Sequence, residues 1–313
     1  MKTCLIVQPI HSAGLDLLRR NGIEPRLAPT PDMATVAALL PGCDAVITRD
    51  AGLKAEAFAA ADRLQIVVIH GTGHDSVDKA AAAAKRVLVA NTPGVNARSV
   101  AELALGLALA VARGIPAADR STRAGAPGFR ESARFTELSG KTALIVGWGA
   151  IGRDLGRMLD QAFGMRILVH SPRAPETGGY ARVSLAEGLA EADLISLHTP
   201  MRDETRNLIG AEALAQVKPG AILVNVARAG LVDEAALDRA LAEGRLAGAG
   251  LDVYSEAAPQ GPLVRHANVI FTPHLGATTE DALRRVAEAA AGHVITALAG
   301  GMPETALNPE VRP

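Results

Sequence analysis

The stretch TALIVGWGAIGRDLGRML, residues 142–159, decides the fold. Its first five residues are apolar or β-branched and read as a fully buried strand. Gly147, Gly149 and Gly152 follow in the spacing G-x-G-x-x-G, and Ile151, Leu155, Met158 and Leu159 then recur at helical intervals. Strand, glycine turn and helix in that order are what a dinucleotide pyrophosphate needs. Gly147 allows the tight turn, Gly149 lets backbone approach phosphate, and Gly152 lets helix pack on strand. The helix start at Ala150 and Ile151 offers unpaired N–H groups and a positive dipole end to the anion. Glycine is 31 of 313 residues, so the spacing alone arises by chance on the order of 0.3 times in such a chain. The flanking strand and helix therefore carry the assignment.

Some 140 residues precede this motif, and the length suggests about two domains. With 49% hydrophobic and 21% charged residues, the composition is that of a globular protein burying a large core. Net charge is −1 and no Lys/Arg cluster occurs, which excludes nucleic acid as an expected partner. Acidic substrates would need local cations rather than a general field. Cys4 and Cys43 are too few and unpatterned for a disulfide framework or metal site, so reduced, buried thiols are expected. The opening MKTCLIVQPI reads as a first strand and not a signal peptide. The apolar residues 100–111 are too short to span a bilayer and include Glu102. These features predict a cytoplasmic protein with no membrane partner.

Along the first lobe, strands are expected at residues 5–7, 45–48, 66–69 and 87–89. Helices are expected at 13–20, 35–40, 54–60 and 78–84. A second series starts at Thr142, with strands at 166–169, 194–197, 222–226, 248–253 and 269–271, and helices at 184–190, 212–216 and 234–243. The alternation predicts an α/β fold of two Rossmann-like lobes, each with a parallel sheet. A helix at 96–113 has Ser99 as a cap-like residue with Glu102 three later, a capping-box spacing. Residues 125–140 read as a loop. A long helix at 278–299 could return the chain to the first lobe. The cofactor lobe, 99–285, would then be inserted into a discontinuous substrate lobe, 1–98 plus 286–313, with a cleft between them.

Three features downstream of the glycine turn carry chemistry. Arg228, in VNVARAGLVDEAAL, follows a buried strand where open parallel sheets place their ligands, and its planar fork suits a carboxylate. Its bland alternative is a surface pair with Asp233 or Glu234. Asp252 ends a strand in GAGLDVYSEAAP. His274 follows another strand in NVIFTPHLGATT, ahead of Gly276 in a ligand-facing turn. His198, in LISLHTP, also ends a strand but lacks such a turn.

In order and surroundings, Arg228, Asp252 and His274 resemble the D-isomer-specific 2-hydroxyacid dehydrogenases. The resemblance extends to HGTGHDSVD at residues 70–78, NTPGVNARSVAE at 91–102 and ALNPEV near the end. It implies a nicotinamide cofactor, a homodimer formed through the cofactor lobe, and reduction of a 2-oxo acid to the D-2-hydroxy acid. His274 would be general acid to the developing alkoxide, and Arg228 would bind the carboxylate. Backbone N–H groups of Gly71, Thr72 and Gly73 would grip the carboxylate from the other lobe. The resemblance further places Asp252 on the nicotinamide carboxamide, and Thr199, Pro200, Thr205, Ala227 and Gly276 along the cofactor.

Two departures qualify it. The family pattern has Glu where this chain has Ala257, and that Glu pairs with the catalytic His. Glu256, one residue early, is the available substitute and so a candidate catalytic residue. The second departure is at the ribose. Ser171 stands where an acid would bind the 2′-OH, and Arg173 follows, which predicts NADP(H) over NAD(H), with NAD(H) possible. Arg49 matches a substrate-side Arg of 3-phosphoglycerate-oxidising relatives, but Ile69 replaces their second one. Glyoxylate, hydroxypyruvate or a similar small acid fits better. A 3-phosphoglycerate-type enzyme, a phosphonate- or formate-type enzyme and a non-catalytic NAD(H)-sensing corepressor-like module are the alternatives.

Overall fold

A computed structural model describes residues 1–311; residues 312 and 313, the end of the expected 286–313 segment, lie outside the described residues. The chain forms two compact units, Met1–Asn96 with the segment from Ala277 onward, and Ala97–Gly276. The second crossing lies at Gly276 rather than at residue 285. The reason is that the last helix is unbroken from Glu280 and belongs whole to the first unit.

In chain order the first unit has β1 (Lys2–Ile6), α1 (Ser12–Arg20), β2 (Ile23–Leu27), α2 (Met33–Leu39), β3 (Ala45–Thr48), α3 (Ala55–Ala60), β4 (Ile66–Ile69), α4 (Lys79–Ala84) and β5 (Leu88–Ala90). Its five strands are parallel, in the order β2-β1-β3-β4-β5. Continuous apolar runs suit strands covered on both faces. Leu5, Val46, Val67 and Val89 point to one cluster with Val36, Leu40 and Phe58. Their neighbours Cys4, Ile6, Ile47 and Val68 point to the other. Strand β2 was not legible in the sequence. Pro25 interrupts it, and β2 tolerates a proline because it is an edge strand paired only with β1.

The second unit has α5 (Ala97–Ala112), α6 (Ile115–Arg123), α7 (Phe129–Ser132), β6 (Thr142–Val146), α8 (Ala150–Phe163), β7 (Arg166–His170), β8 (Ala181–Arg182), α9 (Leu185–Glu191), β9 (Leu194–Leu197), α10 (Ala211–Gln216), β10 (Ala221–Asn225), α11 (Glu234–Ala242), β11 (Leu246–Leu251) and β12 (Val269–Phe271). The last helix, α12 (Glu280–Leu298), returns to the first unit, where it packs on α1. The seven strands are all parallel, in the order β12-β11-β10-β9-β6-β7-β8. Helix α8 buries Leu155 and Leu159, each worth about 1.5–3 kcal/mol of apolar burial. Helix α5 packs on β10 and β11. The LAGAGL composition of β11 explains how closely it does so: a Cβ at Gly250 would lie 2.8 Å from Leu107 Cβ, and one at Gly248 2.7 Å from Val111 Cγ1.

Ser99 is not a cap. It lies within α5, buried, and its hydroxyl donates to the Gly276 carbonyl at 2.6 Å. Glu102 pairs with Arg98 instead. The expected loop at 125–140 contains the single turn α7, and α6 precedes it; neither helix has a buried residue. Among the described residues no single helix is long and apolar enough to cross a membrane.

Candidate active site

Because every strand of the second sheet is parallel, their carboxyl ends share one edge. That edge carries His274 after β12, Asp252 after β11, Arg228 after β10, Thr199 and Pro200 after β9, the glycine turn after β6, and Ser171 and Arg173 after β7. Strand order reverses between β9 and β6, the switch point where open α/β sheets bind ligands. The glycine turn sits there.

Its three glycines have different reasons. Gly147 has φ +100°, and a Cβ on it would fall 2.7 Å from the His198 carbonyl. A Cβ on Gly152 would fall 2.1 Å from the Gly147 carbonyl oxygen. Both are demanded by packing. At Gly149 a Cβ would meet nothing within 4 Å. Gly149 is the N-cap of the 14-residue α8 and gives it no side-chain cap. Open space at a bare helix N-terminus fits a pyrophosphate, to which the N–H groups of Ala150 and Ile151 would donate. Beneath the turn, burial pushes His198 down to about 3, so its ring is neutral. Its Nε2 meets Ser196 Oγ at 2.9 Å, and its buried Nδ1 has no partner among the described residues.

The other end of the edge is organised by two buried polar residues, 1% exposed each. Asn225 accepts from Ala227 N–H at 3.1 Å and donates to the Arg228 carbonyl at 2.9 Å, which shapes the turn holding Arg228 and Ala227. The Arg228 guanidinium donates to the Ala227 carbonyl at 2.7 Å. Its bland alternatives are otherwise engaged: Asp233 caps α11, and Glu234 accepts from Ser255. Asp252 is engaged within its own unit. Its Oδ1 accepts from Thr272 Oγ1 at 2.6 Å and Leu275 N–H at 2.7 Å, and its Oδ2 from Gly276 N–H at 2.9 Å. These bonds brace the segment carrying His274, whose φ of +56° is unusual for a non-glycine residue. Gly276 is likewise built into the unit, through Asp252 and Ser99.

Glu256 does not reach His274. Ser255 gives its N–H and its hydroxyl to Glu234, at 2.7 and 2.6 Å. That anchors the loop and leaves Glu256 exposed in the turn beyond it. Among the described residues no hydrogen bond or ion pair joins Glu256 to His274. The Thr205 hydroxyl is also committed, to the Pro200 carbonyl at 2.9 Å and Arg202 N–H at 2.7 Å. Around Ser171, Arg182 donates to the carbonyls of Ser171 and Ala174, while Arg173 pairs with Glu204.

In the first unit, Arg49 follows β3 and residues 71–73 follow the adjacent β4. The Arg49 guanidinium donates to the Pro9 carbonyl at 3.2 Å. The Gly71 N–H is shared between Ile69 O and Thr92 Oγ1, both at 2.9 Å. Asn91 holds the loop through the Thr72 carbonyl at 2.7 Å. Thr72 and Gly73 remain as N–H donors. Burial, helped by Arg49, lowers His70 to about 4, and its buried Nε2 has no partner among the described residues. Of the supporting residues, Asn225 had a signal in the sequence, as a lone polar residue in an apolar run. Asn91, Thr92 and Thr272 had none that distinguishes them from loop residues.

Residues 105–276 match the D-isomer specific 2-hydroxyacid dehydrogenase, NAD binding domain, family. The D-3-phosphoglycerate dehydrogenase of Mycobacterium tuberculosis (strain ATCC 25618 / H37Rv) is 44% identical over 293 residues, covering 91% of this chain and 55% of that protein. The chain thus spans about half the length of such curated relatives. The TT0316 protein from Thermus thermophilus superposes with a TM-score of 0.90 at 35% identity, over 97% of this chain and 99% of that one. An NADPH-dependent glyoxylate/hydroxypyruvate reductase from Sinorhizobium meliloti, in complex with citrate, gives 0.87 at 28% identity, over 99% and 98%.

Proposed function

The chain belongs to the D-isomer-specific 2-hydroxyacid dehydrogenase family, and we propose that it reduces a small 2-oxo acid, of the glyoxylate or hydroxypyruvate kind, with NADPH preferred over NADH. The observation that carries this reading is the placement of Arg228, Asp252 and His274 after three neighbouring strands, β10, β11 and β12, on the edge that also holds the glycine turn.

When bound, the reduced nicotinamide supplies the hydride that the substrate carbonyl carbon accepts. His274 gives a proton to the oxygen of that carbonyl, so hydride and proton together yield the 2-hydroxy acid. Arg228 binds the carboxylate and stabilises charge on the oxygen as it develops. Asp252 positions His274 through the bonds described above. In the first unit, Thr72 and Gly73 are assigned an anion-binding role, with Arg49 toward the substrate. Among the described residues Glu256 makes no bond to His274, so Glu256→Gln is expected to leave the pH–rate profile unchanged.

Ser171 and Arg173, in place of an acid after β7, support the NADP preference. Comparable kcat/KM for NADPH and NADH would overturn it. The remaining partner in this reading is a second copy of the chain, joined through the cofactor unit, which sedimentation would test.

The deciding assay is NADPH oxidation against a panel of 2-oxo acids, with His274→Gln as control. We expect turnover on a small 2-oxo acid, and a loss of at least about 100-fold in the variant with nucleotide binding retained. Full activity in the variant would remove His274 from the mechanism. Tight cofactor binding without turnover on any acid would favour the sensing role. A second substrate reading, oxidation of 3-phosphoglycerate, is supported by the 44% identity to enzymes of that name and by Arg49. Ile69 in place of a second arginine weighs against it, and adding 3-phosphoglycerate with NADP or NAD to the panel decides.

A further inference from the structure

Three arginines and one carboxylate crowd the carboxyl end of β7. Arg173 donates its Nη2 to Glu204 Oε1 at 2.5 Å, and Arg202 Nη1 lies 3.9 Å from the same oxygen. Arg182, on β8, donates to the Ser171 carbonyl at 3.0 Å and the Ala174 carbonyl at 2.7 Å, which fixes the turn carrying Ser171 and Arg173. Glu204 is held from its own side. It lies in a short 3-10 turn, Asp203–Thr205, pinned by the bonds of Thr205 to Pro200 and Arg202. Asp203, its neighbour, makes no ion pair with these arginines among the described residues.

We infer that Glu204 is a resident anion occupying the arginines that would take the 2′-phosphate of NADP, and that it sets the cofactor preference by competing with that phosphate. The inference rests on the NADP reading above and names the residue that limits it. A 2′-phosphate carries more charge than a carboxylate and three acceptor oxygens. Arg173 and Arg202 can therefore exchange one partner for a stronger one. The existing bridge is weak enough to yield, since Arg173 and Glu204 are 67% and 55% exposed and exposed pairs are worth at most about 1 kcal/mol. A nucleotide without the 2′-phosphate leaves the bridge in place, so NAD(H) still binds. Glu204 thus costs NADP affinity and leaves NAD affinity unchanged.

The test is titration calorimetry with adenosine 2′,5′-bisphosphate and with ADP, at low salt, on the whole chain and on Glu204→Gln and Arg202→Gln. Glu204→Gln should tighten 2′,5′-bisphosphate binding about fivefold, the factor equivalent to about 1 kcal/mol, and change ADP binding less than twofold. The gain should shrink as salt rises toward 1 M. Arg202→Gln should weaken the bisphosphate selectively. If the parent prefers the bisphosphate but Glu204→Gln leaves the ratio unchanged, the role of Glu204 is overturned while the NADP reading stands. If parent and variant bind both nucleotides equally, both are overturned. A nonselective gain in Glu204→Gln, equal for both ligands, also overturns the competition.

Discussion

Replacing Asp252 with Asn tests whether a single buried carboxylate holds the segment bearing His274. The carboxylate is 1% exposed and accepts three hydrogen bonds, two on Oδ1 and one on Oδ2. An amide has one oxygen. Its cheaper orientation keeps the Thr272 and Leu275 bonds and turns an NH2 toward the Gly276 N–H, so one bond is lost and a donor faces a donor. A hydrogen bond to a charged group is worth about 1.5–3 kcal/mol, and the two retained bonds weaken roughly by half once the acceptor is neutral. Taken at the low end of those ranges, the sum is about 3 kcal/mol. For a unit spanning Ala97–Gly276, this lowers Tm by roughly 6–12 °C. The positive φ of His274 is strain that the brace holds, so its relief offsets part of this cost. Differential scanning calorimetry reads the Tm, and amide hydrogen exchange reads the protection of Gly276, which should fall. Thr272→Val, which leaves the carboxylate two other donors, should on the same scale cost about half as much, ~1.5 kcal/mol. A Tm for Asp252→Asn within about 1 °C of the parent, with Gly276 exchanging at its original rate, would refute the bracing role.

The first two glycine positions of the turn should separate fold from ligand. Gly147→Ala places a Cβ at 2.7 Å from backbone at a φ of +100°, and should cost more than about 3 kcal/mol in denaturant unfolding. Gly149→Ala meets nothing and should leave stability within about 1 kcal/mol while weakening ADP binding; equal effects from both would contradict the packing argument. Asn308 latches the end of the chain to β5, accepting from Val89 N–H at 2.8 Å and donating to the Val87 carbonyl at 2.9 Å. Asn308→Ala should lower stability by about 2–3 kcal/mol, and an unchanged unfolding midpoint would show the latch to be idle. His198 is held neutral, at about 3 against an ordinary value near 6.5, and His70 acts in the same sense at about 4. The unfolded chain gains protons below 6.5 that the folded chain refuses, so stability is full above about 7 and falls as pH drops toward 3. His198→Gln should flatten the slope of stability between pH 6.5 and 4; an unaltered slope would mean the ring is not the source.

Sequence by itself determined the architecture of both units, the position of the nucleotide turn and the strand ends where Arg228 and His274 stand. The reason is that buried parallel strands need unbroken apolar runs, and a glycine turn between strand and helix has few other uses. It determined much less wherever one side chain's partner lies far along the chain. Asp252 bonds to residues 20 and more positions away. Ser99 serves Gly276 rather than a helix start, and Gly71 spends its N–H on Thr92. Glu256 was one residue from the family's carboxylate position, and the Ser255–Glu234 contact left it exposed in the turn and without a bond to His274. These outcomes depend on loop conformation and on which donor reaches which acceptor at 3 Å, a matter of geometry that residue type and spacing do not encode. The same tertiary placement set Glu204 against Arg173 across 31 residues, and so turned an unremarked acid into the candidate regulator of nucleotide choice.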